Sequence, residues 1–153
     1  MATFTSTVYQ NEFLPDGGTD VNAIVRLGVS GAGRAGASGK APGEIVIVDT
    51  SGSMGQVNMS AAKQAAMTAV DTIADGTYFA IVAGTHEAYL AYPMVRTGQG
   101  MVEMNGRTRA EAKQAISWFN AEGGTAIGAW LNLARALFAS MGDALGNKHA
   151  LLL

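Results

Sequence analysis

The chain has 153 residues, 48% of them hydrophobic and 14% charged, with Lys and Arg totalling 10 against 12 Asp and Glu. That is enough apolar material for a packed core, it argues against disorder, and the length fits one domain or one domain with an extension. A net charge of −2 with scattered basic residues argues against a nucleic-acid partner, and the absence of cysteine excludes a disulfide framework and thiolate metal sites.

No apolar run approaches the ~20 residues of a membrane-spanning helix. The residues after Met1 are polar and Thr-rich, unlike a secretory signal. A cytoplasmic protein with no membrane partner is expected.

Residues 4–13 and 21–29 read as strands. Val21, Ala23, Val25, Leu27 and Val29 alternate with Asn22, Ile24, Arg26 and Gly28 in an imperfect period of two. Asp16-Gly17-Gly18 supplies turn chemistry between them, so residues 1–30 are expected to form an N-terminal β-hairpin segment. Residues 31–43, rich in Gly, Ala and Ser and containing Pro42, read as a linker.

An α/β domain is predicted over 44–153. Ile45-Val46-Ile47-Val48 is apolar on both faces, as a strand in the middle of a parallel sheet must be. A helix is expected over 59–74, with Ala62, Ala66, Ala69, Val70 and Ile73 on one face and Asp75-Gly76 ending it. Residues 78–83 form a second buried strand and 88–95 a third, which Pro93 assigns to an edge. Thr108-Arg109-Ala110-Glu111 matches a capping box and opens a helix with Ala112, Ala115, Ile116 and Phe119 inward. Thr125 is expected to begin the next helix, with Ile127, Trp130, Leu131, Ala134, Leu137 and Phe138 inward and Gly142 and Gly146 ending it. A last strand is expected from His149. This order predicts an α/β fold, a doubly wound, mostly parallel sheet with flanking helices.

In such sheets ligands bind at the carboxyl ends of central strands. Asp49, Ser51 and Ser53 alternate by two on a turn that Gly52 makes permissive, so three oxygens can be aimed at one point. One anionic and two neutral oxygens suit a hard divalent cation such as Mg²⁺. The bland alternative is a tight turn whose serines cap the following helix, with Thr125 capping another.

Asp49-x-Ser51-x-Ser53 after an apolar strand resembles the metal-ion-dependent adhesion site of von Willebrand factor A domains. Gly123-Gly124-Thr125-Ala126-Ile127-Gly128 is similar to the family's second element, which opens a helix with a metal-binding Thr. The resemblance covers 44–153 and is to the intracellular, bacterial type. It implies a Rossmann-like fold and Mg²⁺ or Mn²⁺ held by Asp49, Ser51, Ser53 and Thr125. It also implies a protein-interaction module, not an enzyme, whose cation takes an Asp or Glu carboxylate of a partner protein. The family further places an Asp after the strand that here reaches Leu153. The domain therefore reads as C-terminally truncated, as a fragment or as one completed by another polypeptide. An open apolar edge favours the fragment. The N-terminal segment would then belong to a β-sandwich completed after Leu153.

Two alternatives come from other classes: a metal-dependent phosphoryl-transfer enzyme using Asp49, and a structural subunit with a non-functional metal site. Against the former, Ser51 stands where the haloacid-dehalogenase pattern needs a second acid. Other motifs fail. Gly31-Ala32-Gly33-Arg34-Ala35-Gly36 has dinucleotide-loop spacing, but the breakers in 37–43 deny it a helix N-terminus. Ala41 follows Gly39-Lys40 where a phosphate loop needs a hydroxyl, and residues 16–20 lack the closing Glu of a calcium loop. His86 and His149, the only histidines, have no second nitrogen or thiolate near them in sequence, which argues against zinc. No Gly-x-Ser-x-Gly elbow supports a hydrolase triad of Ser53, His86 and Asp49.

Overall fold

A computed structural model describes residues 3–10, 23–30, 39–94 and 100–153. The chain divides into two compact units, Met1–Ser38 and Gly39–Leu153. In the first, β1 (Thr3–Gln10) pairs antiparallel with β2 (Ala23–Ser30), with Thr3 opposite Ser30 and Gln10 opposite Ala23. The turn expected at Asp16-Gly17-Gly18 and residues 31–38 of the expected linker lie outside the described residues.

The second unit runs β3 (Ala41–Asp49), a 3₁₀ turn (Gly52–Met54), α1 (Gly55–Thr72), β4 (Tyr78–Gly84), β5 (Ala88–Tyr92), β6 (Val102–Glu103), α2 (Gly106–Ser117), α3 (Ile127–Ser140) and β7 (Leu145–Leu152). Its five-stranded sheet has the order β5-β4-β3-β7, with β6 pairing β4 off that path. β3 is parallel to both β4 and β7, while β5 and β6 are antiparallel to β4. This is the helix-flanked α/β architecture expected from the sequence, with a mixed sheet.

The central position of β3 follows from its side chains. Val46 and Val48 pack with Met59, Ala66 and Val70 of α1 and with Ala112 and Ile116 of α2. Ile45 and Ile47 point the other way, to Trp130, Ala134 and Leu137 of α3. All four are at most 2% exposed. Successive side chains alternate faces and both faces are covered, so the strand tolerates no polar residue. The alanine-rich faces of α1 and α2 are buried as expected. Among the described residues, no helix is long and apolar enough to cross a membrane.

Several boundaries differ from expectation, each for a physical reason. β3 begins at Ala41, so residues 41–43, assigned to the linker, belong to the sheet. Pro42 is tolerated because the register against β7 shifts between Ala41 and Gly43, and a bulge needs no ladder donor there. β7 begins at Leu145, so Gly146 lies in a strand and not at a helix end. The two residues of β6 are too few to show a period.

The capping box of α2 is built on Asn105, not Thr108. Asn105 Oδ1 accepts from the amides of Arg107 at 3.0 Å and Thr108 at 3.1 Å, and Thr108 Oγ1 accepts from the Asn105 amide at 2.9 Å. Glu111 instead accepts from the Tyr92 hydroxyl at 2.7 Å. On α3, Ile127 and Leu131 are not inward; they are 46% and 50% exposed. The apolar stripe is wider than the sheet beneath it, and Leu131 and Phe138 border an open groove with Lys148 and Ala150 of β7.

Candidate metal centre at the carboxyl end of the sheet

β3 ends at Asp49 and the chain turns. Ser51 is extended at φ −67°, ψ 156°, and the 3₁₀ turn follows at once. Asp49 Oδ1 accepts from the Ser51 amide at 2.8 Å, which folds the carboxylate back over the turn. The Ser51 and Ser53 hydroxyl oxygens lie 3.0 Å apart. Ser51 is fully buried, Asp49 half-buried and Ser53 exposed, so the cluster opens to solvent on the Ser53 side. Adjacent ligands of an octahedral cation with bonds of roughly 2.0–2.1 Å lie about 2.9 Å apart. The serine pair therefore has the spacing of two neighbouring positions around Mg²⁺ or Mn²⁺.

These hydroxyls are not helix caps. Ser51, at the N-cap of the 3₁₀ turn, makes no side-chain capping bond, and neither does Met54 at the N-cap of α1. Thr125 does not begin α3. The helix starts at Ile127, with Ala126 as its N-cap and no side-chain capping bond.

Two further loops are joined to the first. Thr50 is turned into the protein, its amide and hydroxyl both donating to the Gly84 carbonyl of β4, at 2.8 and 3.1 Å. The Glu122 amide donates to the Thr50 carbonyl, and the Gly52 amide to the Gly123 carbonyl, each at 2.9 Å. A Cβ on Gly52 would meet the Gly123 carbonyl oxygen at 3.0 Å, so glycine permits this approach. These bonds hold the loop that carries Thr125 against the turn of Asp49, Ser51 and Ser53. The third loop follows β4: Thr85 accepts from the Ala126 amide at 2.9 Å and from Trp130 Nε1 at 2.8 Å. His86, on that loop, is exposed and packs against Gly123, where a Cβ would lie 2.7 Å from its Nδ1.

The structure thus brings Asp49, Ser51 and Ser53 together directly. It places Thr125, which is exposed, on the adjoining loop. His149 is elsewhere, with Nδ1 2.9 Å from Glu44 Oε2. Sequence reasoning missed Tyr89 and Glu122. Burial raises the Tyr89 pKa above the ordinary phenol value; the Thr50 hydroxyl opposes this and the Glu122 carboxylate adds to it. Their only signal in the sequence is position, Tyr89 near the start of a predicted strand and Glu122 beside the glycine pair. Among the described residues, no three His, Cys, Asp or Glu side chains form a metal-binding group. The turn itself thus offers the Asp49 carboxylate with the Ser51 and Ser53 hydroxyls.

A family model for the von Willebrand factor type A domain matches residues 45–153, and the chain belongs to that family. Domains of this kind are commonly protein-interaction modules and typically non-enzymatic. The solved structure of a von Willebrand factor type A protein from Catenulispora acidiphila is 39% identical, with a TM-score of 0.66 over 96% of this chain and 32% of that one. The three N-terminal domains of the type V pili tip protein Mfa5 from Porphyromonas gingivalis share the fold, at 19% identity and TM-score 0.56, over 99% of this chain and 26% of that one. So does proximal thread matrix protein 1 from the mussel byssus, solved with a zinc-occupied MIDAS motif, at 22% identity and TM-score 0.53, over 74% and 29%. The chain therefore spans about a third of the length of these proteins or less. No curated protein matches it.

Proposed function

We propose that the Gly39–Leu153 unit is a divalent-metal-dependent protein-interaction module. Asp49, Ser51, Ser53 and Thr125 hold Mg²⁺ or Mn²⁺, and the partner protein presents an Asp or Glu side chain. Bound mostly through neutral oxygens, the cation supplies an electrophilic position for that carboxylate. The observation that carries this reading is the pair of serine hydroxyls 3.0 Å apart, beside a carboxylate whose own oxygen anchors the turn. The zinc-occupied motif of proximal thread matrix protein 1 supports it, as a divalent ion at such a motif in a protein of the same fold. Ser51, standing where the phosphotransferase pattern needs a second acid, supports capture over phosphoryl transfer.

Thermal melting with Mn²⁺ and Mg²⁺ titration tests the reading. The wild-type melting temperature should rise in a saturable way, by the equivalent of about 2.7 kcal/mol at a hundredfold excess over the dissociation constant. The S51A/S53A double variant should melt like the wild type in EDTA and show no rise with metal. An equal rise in the double variant, or none in the wild type, would sink the proposal.

A further inference from the structure

Among the described residues, Trp130 of α3 is the largest fully buried side chain, at 1% exposure. It belongs to the core cluster of Ile45, Ile47 and Leu137, which accounts for the ring but not for its indole N–H. A buried donor needs an acceptor. Here it is the Thr85 carbonyl, 2.8 Å from Nε1.

That same carbonyl accepts from the Ala126 amide at 2.9 Å. The planar peptide group that carries the Ala126 N–H also contains the Thr125 Cα. Holding the one therefore fixes the backbone position of the other. No helix cap does so, since Ala126 is the N-cap of α3 and makes no side-chain capping bond.

The ring itself bears on the other half of the candidate metal centre. A Cβ on Gly84 would overlap the Trp130 ring carbons, so the indole lies directly against the Gly84 backbone. The Gly84 carbonyl accepts from the Thr50 amide at 2.8 Å and from its hydroxyl at 3.1 Å, and Thr50 stands between Asp49 and Ser51. One rigid side chain thus braces Gly84 and Thr85. From these two residues, bonds run to the turn of Asp49, Ser51 and Ser53 and to the loop of Thr125.

We infer that Trp130 is a positioning residue for the cation: through the Thr85 carbonyl, its indole N–H sets where Thr125 stands relative to Asp49, Ser51 and Ser53. This rests on the reading of those four residues as a cation site. Trp130 supplies no ligand of its own.

Calorimetric titration of the whole chain with Mn²⁺, beside thermal melting in EDTA, tests it. Trp130→Phe keeps an aromatic ring, removes the N–H and should bind Mn²⁺ about tenfold more weakly. Thr125→Ala should also weaken binding. The W130F/T125A double variant should bind no more weakly than Thr125→Ala alone, because both changes remove the same contribution. Leu137→Ala, in the same core cluster on α3, should lower the melting temperature in EDTA and leave the Mn²⁺ affinity at the wild-type level. Where Phe unfolds the unit, β-(3-benzothienyl)alanine at position 130, which exchanges only the N–H for sulfur, carries the same expectation. Wild-type affinity without the N–H would overturn the role of Trp130 and leave the metal reading standing. So would an equal loss in Leu137→Ala, or a further loss in the double variant, since either would make Trp130 a general packing residue. No Mn²⁺ binding by the wild type would overturn the metal reading and this inference together.

Discussion

At the scale of single residues, the site depends on backbone contacts that admit only particular side chains. Gly123 has φ +68° and a Cβ there would stand 2.7 Å from His86 Nδ1, so two separate penalties fall on any substitution. Gly123→Ala should cost about 1–3 kcal/mol, read as a lower urea midpoint at unchanged slope. It should also weaken Mn²⁺ binding, because the Gly123 carbonyl holds the Gly52 amide. A variant as stable as wild type would contradict the close packing of this loop. Asp49, Ser51 and Ser53 were legible because the whole constellation is local, three residues at a period of two after a buried strand. Tyr89, Glu122 and His86 were not, since they belong to other segments: His86 and Tyr89 to the loop after β4 and to β5, Glu122 to the loop after α2.

At the scale of elements, Arg109 of α2 caps the end of α1. The Arg109 guanidinium donates to the Val70 carbonyl, to the Ile73 carbonyl at 2.9 Å and to Asp75 Oδ1 at 2.7 Å. It therefore satisfies carbonyls at the end of α1 and places positive charge at the negative end of the helix dipole. Lys113 makes a nearby ion pair with Asp71 at 2.7 Å, but both partners are substantially exposed. Arg109→Met should lower stability by about 1–3 kcal/mol. Lys113→Met should cost about 0–1 kcal/mol. Equal losses in chemical denaturation would show that charge alone, and not the capping of α1, joins the two helices. Periodicity revealed the inner faces of these helices because it reports burial. The same periodicity overstated α3, where Ile127 and Leu131 fit the apolar stripe but stay exposed. A stripe gives its own width, not the width of the surface it covers. The α2 cap was misplaced for a related reason: Thr108 and Glu111 satisfy the pattern, but the chain enters the helix at Asn105.

At the scale of the whole Gly39–Leu153 unit, stability and site geometry share one element. β3 carries the residues buried on both faces and delivers Asp49 to the sheet edge where the loops after β4 and α2 meet it. Val48, fully buried one position before Asp49, faces α1 and α2. Val48→Asp should unfold the unit, since an unpaired buried charge costs several kcal/mol. Loss of helical circular dichroism and of a cooperative melt would report it. Soluble protein with unchanged spectra would contradict the central position of β3.

The strand Ile45–Val48, the inner faces of α1 and α2, and the Asp49-Ser51-Ser53 turn were determined by sequence alone, because burial and turn chemistry are written in neighbouring residues. Only the tertiary structure decided that Pro42 enters the sheet at a bulge, that the α2 cap is Asn105, and that Ile127 and Leu131 of the α3 stripe are exposed. It also decided which loops close around the turn. Those outcomes depend on contacts between residues far apart in the chain, such as Gly52 with Gly123 and Thr50 with Gly84. No local pattern specifies such contacts, because they form only when the strands have found their register.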